Sequence, residues 1–156
     1  MSTGTIEVVT PDMWRRQRDL RLAALAQAPE QFGSTLAREQ EFSDDTWRER
    51  ASRPSTLLAS VDGRDVAIAG VYLHDDTWQV NAMWIEPEHR GRGIADALLA
   101  GCEVLVRQAG ASRMQLWVFE DNPAGLGAYT RAGFELTGTR DHVRDGRHVL
   151  EMLKRW

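Results

Sequence analysis

Cysteine is almost absent from this chain, because Cys102 is the only one among its 156 residues. A single thiol excludes an internal disulfide and any metal site built from several cysteines. Cys102 falls among apolar residues at helical spacing, which indicates a buried core thiol rather than a reactive one. The four histidines are not spaced as ligand pairs one helical turn apart, so we predict no metal.

Long hydrophobic runs and lysine are also scarce. No apolar run approaches the ~20 residues that a membrane-spanning helix needs, and the polar start of the chain does not resemble a signal peptide. Lys154 is the only lysine among 19 basic residues, and the net charge of −4 argues against a nucleic-acid partner. We therefore expect a cytoplasmic protein with no membrane or nucleic-acid partner.

The chain does contain enough apolar residues, 42%, to predict a single domain spanning residues 1–156. Its strand and helix signals alternate, which predicts an α/β fold. Strands are predicted at Thr5–Val9, Ser55–Val61, Val66–His74, Thr77–Ile85, Met114–Phe119, Phe134–Arg140 and Arg147–Lys154. Helices are predicted after Pro11, after Ser43 or Asp44, at Gly93–Gln108 and at Pro123–Ala132. The segment Asp62-Gly63-Arg64 is typical of a hairpin turn.

A glycine-rich turn joins the predicted strand ending at Ile85 to the helix that follows, and it reads Arg90-Gly91-Arg92-Gly93-Ile94-Ala95. Glycine lacks the Cβ atom that would keep a ligand away from the backbone. The first N–H groups of a helix have no partner inside it and carry the positive end of its dipole. This turn therefore predicts a phosphate site, although a plain polar turn between two elements stays open.

A second motif begins at Asn122 and runs through Tyr129 to Gly133-Phe134. Asn122 can cap a helix whose first residue is Pro123, and a glycine suits the exit of that helix. Tyr129 then lies about two turns into the helix.

Together the two motifs resemble the core motifs of the GCN5-related N-acetyltransferases (the GNAT family), in which Arg90-x-x-Gly93-x-Ala95 fits the acetyl-CoA loop. The resemblance is close from Val66 to Lys154 and less specific over the rest of the chain. It implies an acetyl-CoA-dependent N-acetyltransferase with a central mixed sheet of about seven strands, splayed strands 4 and 5, and about four flanking helices. Residues 28–35 and 47–50 resemble a bacterial subgroup whose acceptors are mostly unassigned.

The resemblance also implies which residues bind acetyl-CoA. Pantetheine enters between the splayed strands and pairs with the backbone of Met83, Trp84 and Ile85. The pyrophosphate lies on the loop made by Arg90, Gly91, Arg92, Gly93, Ile94 and Ala95. Asn122 reaches the pantetheine or serves only as a helix cap.

Tyr129 matches the family's tyrosine, which donates a proton to the CoA thiolate, and a phenol with a pKa of ~10 is a reasonable acid for that step. Packing of its ring on the sheet is the alternative. The two positions where relatives carry a glutamate base hold Asn81 and Trp117 here, and neither side chain accepts a proton at neutral pH. A water held by Asn81 could relay the proton to Glu39 or Glu41, although solvated helix charges are the ordinary interpretation of both.

Three residues are candidates for the acceptor site, namely Phe32, Glu41 and Trp117. Strand alternation predicts that Trp78 and Trp84 share one face of their strand, with Asn81 on the other. Trp117 is predicted to line the cleft, where an indole face suits an ammonium group.

The leading hypothesis is acetyl transfer to a primary amine of a small molecule, such as an amino-acid analogue or an amine antibiotic. A protein N-terminal or lysine acetyltransferase is an alternative, weakened by Trp117 at the position of a glutamate. A catalytically inactive acetyl-CoA sensor also stays open, as does a homodimer.

Overall fold

Two tight turns fold the middle of the chain into three consecutive antiparallel strands. Asp62 and Gly63 both have positive φ (52° and 78°), and so do Asp75 and Asp76 (47° and 61°). Two central residues with positive φ are the pattern of type I′ hairpin turns, whose twist matches the strands that they join. The predicted hairpin at Asp62-Gly63 is confirmed.

The computed structural model describes residues 4–142 and 146–156, so residues 1–3 and 143–145 of the predicted domain lie outside the described residues. The described strands are β1 (Thr5–Val8), β2 (Thr56–Val61), β3 (Arg64–His74), β4 (Thr77–Ile85), β5 (Arg113–Phe119), β6 (Glu135–His142) and β7 (His148–Arg155). The described α-helices are α1 (Trp14–Gln27), α2 (Leu36–Gln40), α3 (Asp44–Ala51), α4 (Ile94–Gln108) and α5 (Pro123–Arg131).

The strands form one sheet in the order β1-β2-β3-β4-β5-β7-β6. All neighbours are antiparallel except β4 and β5, which are parallel. That parallel pair is joined at one position, Gln79 with Gln115, and the two strands then part. The predicted α/β fold, a mixed sheet of seven strands with splayed strands 4 and 5, is confirmed.

Helices cover both faces of the sheet. On what we call the α4 face, α4 packs Leu98, Cys102 and Val106 against the strands. On the opposite α1 face, α1 and α3 contribute Leu25 and Trp47. Burial raises the pKa of the Cys102 thiol to about 12, which confirms the predicted core thiol. In the part of the chain that the structure describes, every helix is too short or too polar to cross a membrane.

The short helix α2 was not predicted from the sequence. Thr35 begins it, because its side chain accepts a hydrogen bond from the backbone N–H of Arg38 at 3.2 Å. Ser43 caps α3 in the same way, accepting from the N–H of Thr46 at 3.2 Å, as predicted. The five residues of α2 are too few for a hydrophobic period to show in the sequence.

A β-bulge in β4 changes the direction of its side chains. Gly70 of β3 pairs with Asn81, whereas Ile68 pairs with Trp84, so β4 carries one extra residue in between. Ala82 absorbs it with a φ of 55°. Trp78 consequently packs on the α4 face and Trp84 on the α1 face. The prediction that these two tryptophans share one face, with Asn81 on the other, is wrong because alternation assumes a strand without a bulge.

Candidate active site

A cleft of about 100 Å³ opens where β4 and β5 part. The two strands form its floor, and the loop after α1 and helix α5 close it. Its lining is Gln31, Phe32, Val80, Asn81, Ala82, Met83, Leu116, Trp117, Val118, Phe119, Asn122 and Tyr129. The structure thus brings together six residues predicted for the site, namely Phe32, Asn81, Met83, Trp117, Asn122 and Tyr129.

Tyr129 reaches the cleft from α5 and packs its ring edge-on against Phe134, with the ring centroids 6.2 Å apart. Burial, and to a smaller extent the nearby Cys102, raise the pKa of Tyr129 to about 12. The phenol therefore keeps its proton throughout the neutral range. It is a weaker acid than a free phenol, whose pKa is ~10, so it is suited to donating a hydrogen bond to a thiolate rather than to losing its proton outright.

Asn122 begins α5 as predicted, because its Oδ1 accepts a hydrogen bond from the backbone N–H of Gly125 at 3.0 Å. A Cβ atom at Gly125 would lie 2.5 Å from the Asn122 Nδ2, so the glycine leaves room for this cap. The helix-cap role is therefore present in the structure. Since Asn122 also lines the cleft, the cap and a contact with a ligand are compatible.

The glycine-rich loop has the backbone conformation that only glycine adopts easily. Gly91 and Gly93 have φ values of 76° and 83°, and Gly93 directly precedes the first residue of α4. A Cβ atom at Gly91 would meet open space, so the conformation and not crowding requires this glycine. The loop therefore leads to the start of a helix of 15 residues, whose first N–H groups lack partners inside it.

The two loop arginines have different surroundings. Two hydrogen bonds hold the Arg90 side chain in place. Its Nε donates to the Ile85 carbonyl at 2.9 Å and its Nη2 donates to Gln27 Oε1 at 3.3 Å. The Trp84 indole donates to the same Gln27 oxygen at 2.8 Å. Arg92 is exposed, while the Ile94 side chain is buried, so Ile94 offers only its backbone to a ligand.

A second, larger cavity of about 340 Å³ lies on the α1 face, and we call it the arginine cavity. It is lined by Gln17, Arg21, Glu49, Arg50, Arg53, Ser55, Thr56, Ile68, Gly70, Val71, Tyr72, Asn81 and Ala82. Asn81 and Ala82 line the cleft as well, so the two spaces meet at the β-bulge of β4.

Gly70 gives Asn81 its place at this junction. A Cβ atom at Gly70 would lie 2.7 Å from Asn81 Oδ1, closer than real side chains approach. Gly70 was not predicted from the sequence, since its effect depends on the pairing register of β3 and β4. Gln17, Arg21, Arg50 and Arg53 were missed for a related reason, because α1 and α3 meet only in the folded chain.

Glu39 is buried and paired, so its interpretation as a solvated helix charge is wrong. Its side chain is 1% exposed. Its two oxygens each accept a hydrogen bond from Arg21 at 3.0 Å, and Oε1 also accepts one from Arg50 at 3.2 Å. Burial by itself raises the pKa of Glu39, but the hydrogen bonds from Arg21 and Ser34 and the charges of Arg21 and Arg50 together lower it. A carboxylate held in this way is a weak base. Glu41 ends α2 on the surface and lines neither space.

Across residues 4–142 and 146–156, one group has three metal-ligating side chains within 4.8 Å of one another, Glu86, Glu88 and His89. Arg64 already pairs with Glu86 there. The group lies outside the cleft and the arginine cavity, and nothing favours an ion over the existing pair.

Comparison with known proteins agrees with this geometry. A family model described as the acetyltransferase (GNAT) family matches residues 19–134. The chain is similar to PaiA N-acetyltransferase of Thermoplasma acidophilum in complex with coenzyme A (14% identity, 97% of this chain and 98% of that chain, TM-score 0.71). It is similar to a GNAT-family acetyltransferase of Streptococcus pneumoniae (19%, 97% and 98%, 0.77). It is also similar to nourseothricin acetyltransferase (29%, 64% of each chain, 0.59). The chain belongs to the GNAT family and is an N-acetyltransferase that uses acetyl-CoA.

Proposed function

We propose that this protein transfers the acetyl group of acetyl-CoA to the α-amino group of a small molecule. The observation that carries the proposal is the junction at Asn81, where the cleft that contains Tyr129 meets the arginine cavity. A donor in the cleft and an acceptor in the cavity would react at that point. The cavity volume of about 340 Å³ fits a small-molecule ligand.

Two features of the structure fit the donor. Beyond Gln79 the edge of β4 faces the gap toward β5, and the backbone of Met83, Trp84 and Ile85 lies along that stretch. An extended pantetheine arm can pair with such an edge as an added strand would. After β4, the loop from Gly91 to Ala95 leads into the N-terminus of α4, and the positive end of the helix dipole there suits the pyrophosphate.

Acetyl-CoA supplies, when bound, an acetyl group activated as a thioester. Tyr129 keeps its proton at neutral pH and donates a hydrogen bond to the departing sulfur. The Asn81 amide holds the amine, or the water that takes its proton, at the junction between the two spaces. Because Asn81 and Trp117 cannot accept a proton and the carboxylates of Glu39 and Glu49 are paired with arginines, the amine has to arrive largely neutral.

This requirement favours α-amines over ε-amines. An α-amino group with a pKa of ~7.7–8.0 is substantially neutral at pH 7, whereas an ε-amino group at ~10.4 is almost entirely charged. A lysyl-glycine dipeptide offers both amines on one scaffold. At pH 7 we expect CoA release with the dipeptide whose ε-amine is already acetylated, because its α-amine is free. The dipeptide whose α-amine is already acetylated should release CoA at least about 10-fold more slowly.

Several outcomes separate the alternatives. Preference for the free ε-amine at pH 7 would contradict the proposal. A protein acetyltransferase would acetylate long peptides far better than the dipeptide. Tight binding of acetyl-CoA in calorimetry, without CoA release for any amine or peptide, would favour a sensor that has lost catalysis.

A further inference from the structure

The arginine cavity carries an excess of positive charge. Three guanidinium groups, those of Arg21, Arg50 and Arg53, line it. Two carboxylates balance them in part, because Glu39 pairs with Arg21 and Arg50 while Glu49 pairs with Arg53. One positive charge is therefore left without a carboxylate. Arg50 lines the cavity with a side chain that is 35% exposed, whereas Glu39 is 1% exposed and is not part of the lining, so the cavity meets the positive partner of this ion pair.

Arg50 is held rigidly in position. Its guanidinium lies over the rings of Phe42, at 4.7 Å, and Trp47, at 5.1 Å. Its Nη1 donates to Glu39 Oε1 at 3.2 Å. A guanidinium already ordered by stacking and one ion pair loses little further freedom when it binds a carboxylate, so binding costs less.

Arg53 also lines this cavity and follows the last residue of α3 by two positions. Its Nη2 pairs with Glu49 Oε1 at 2.5 Å, and both side chains are more than half exposed. Exposed pairs of this kind contribute little to stability. Arg53 can therefore exchange Glu49 for a ligand carboxylate at small cost.

Gln17 gives a second, independent indication that the cavity holds a polar ligand. This residue is 7% exposed, and its Oε1 is buried with no hydrogen-bond partner among the residues that the structure describes. Its Nε2 donates to Thr56 Oγ1 at a long 3.4 Å. A buried amide oxygen without a donor is unfavourable, and an N–H group of a ligand in the cavity would satisfy it.

From these contacts we infer that the acetyl acceptor carries a carboxylate, which Arg50 and Arg53 bind while its amine lies at Asn81. This inference rests on the proposed function and specifies its substrate class as a small α-amine beside a peptide carbonyl with a negatively charged group, of the size of a dipeptide. Charge-assisted bonds from a planar guanidinium match the geometry of a carboxylate. Gln17 accepts from an N–H of the same ligand.

The test compares the dipeptide alanyl-glycine with its C-terminal amide. Both have the same α-amine beside a peptide carbonyl, so the neutral fraction of the amine is closely similar, and only one has a carboxylate. In the wild-type protein kcat/KM should favour the dipeptide on the order of 10-fold. Arg50→Gln should reduce this ratio to within about 2-fold of unity, and Arg50→Lys should keep part of it because the charge remains.

Arg48→Gln is the matched control on the same helix, since Arg48 pairs with Asp45 at 3.1 Å and does not line the cavity. Its ratio should equal that of the wild type. Because each ratio is taken within one variant, a loss of folded protein cancels. Calorimetry with coenzyme A present should show the same preference in binding and the same loss in Arg50→Gln.

The outcomes distinguish this inference from the proposed function. A wild-type protein that acetylates the amide as well as the dipeptide would overturn the carboxylate site and leave acetylation of α-amines standing. A preference for the dipeptide in binding, without CoA release, would support the site and contradict the proposed reaction. Neither binding nor turnover of either compound would overturn both.

Discussion

At the scale of the residue, the hydroxyl of Tyr129 is the group whose removal tests catalysis most directly. Tyr129→Phe keeps the ring against Phe134 and removes only the donor. We expect kcat to fall on the order of 10²-fold with little change in acetyl-CoA affinity. Since the pKa of Tyr129 is raised to about 12, wild-type kcat should show no loss from its ionisation below about pH 10.

The control for this substitution is Thr130→Ala, the neighbouring residue on α5, which is exposed and bonds to the Leu126 carbonyl. CoA release by both variants gives kcat, and calorimetry gives the affinity. A rate for Tyr129→Phe close to that of Thr130→Ala, under conditions where chemistry limits turnover, would reduce Tyr129 to a packing residue.

Gly70 leaves the space that the side chain of Asn81 occupies, so the two residues can be tested as a pair. Gly70→Ala would place a Cβ atom 2.7 Å from Asn81 Oδ1, so the amide has to move. The fold should survive, because the displaced group is the end of a flexible side chain. We expect kcat/KM to fall about 10-fold in Gly70→Ala and at least as much in Asn81→Ala.

The double variant identifies the cause of that loss. If Gly70→Ala acts only by displacing Asn81, it should cost nothing further once Asn81 is alanine. Two full, additive losses would show that Gly70 acts through another contact. Thermal unfolding of the variants separates a change in rate from a change in stability.

At the scale of the element, the glycine-rich start of α4 was predicted from the sequence, and one substitution there tests its role in binding acetyl-CoA. Gly93→Val introduces a branched side chain where φ is 83° and where the loop meets the helix. We expect it to abolish acetyl-CoA binding in calorimetry, because the side chain blocks approach to the first N–H groups of the helix.

Backbone strain alone could reduce binding, and the other end of α4 offers the matched control. Gly110 has a φ of 86°, and a Cβ atom there would meet open space. Gly110→Val therefore carries a comparable left-handed strain far from the loop. Equal acetyl-CoA affinity in the wild type and Gly93→Val, or an equal loss in both variants, would remove the phosphate role of the loop.

Strand β4 shows how far sequence reasoning reaches within an element. Its existence and its glycine-rich exit follow from local pattern, and so does helix α5, which Asn122 caps and which contains Tyr129, because capping and turn residues act over a few positions. The side-chain direction of Trp84 does not follow, since the bulge at Ala82 adds one residue to the register. The arginine cavity could not be predicted at all, because α1, α3 and β3 build it from distant parts of the chain.

At the scale of the whole molecule, the Glu39 carboxylate ties three helices together. It lies in α2 and pairs with Arg21 of α1 and Arg50 of α3. Glu39→Gln would leave two partly buried guanidinium groups without their carboxylate, so we expect a loss of about 3 kcal/mol in the free energy of unfolding. Asp45→Asn, which removes an exposed pair with Arg48, should cost less than about 1 kcal/mol in the same urea titrations.

The lowered pKa of Glu39 also sets the pH dependence of stability. The folded-state pKa lies below the unfolded one, so the contribution of this carboxylate is complete above the unfolded value of ~4.3 and is lost as pH falls through the folded value. The wild type should therefore lose more of its unfolding free energy on acidification than Glu39→Gln does. Parallel acid profiles for the two proteins would contradict the assignment.

The absence of a carboxylate base among the residues that line the cleft predicts the pH dependence of the whole enzyme. If the amine has to arrive neutral, kcat/KM should rise about 10-fold per pH unit below the pKa of the amine and level off at that pKa. For an α-amine next to a peptide carbonyl the plateau should begin near ~8, and changing the acceptor to an amine of lower pKa should move the plateau by the same amount. The profile is measured by CoA release over a series of amines of graded pKa. A plateau near pH 6 that stays fixed when the amine changes would reveal a base on the enzyme and overturn this account of the reaction.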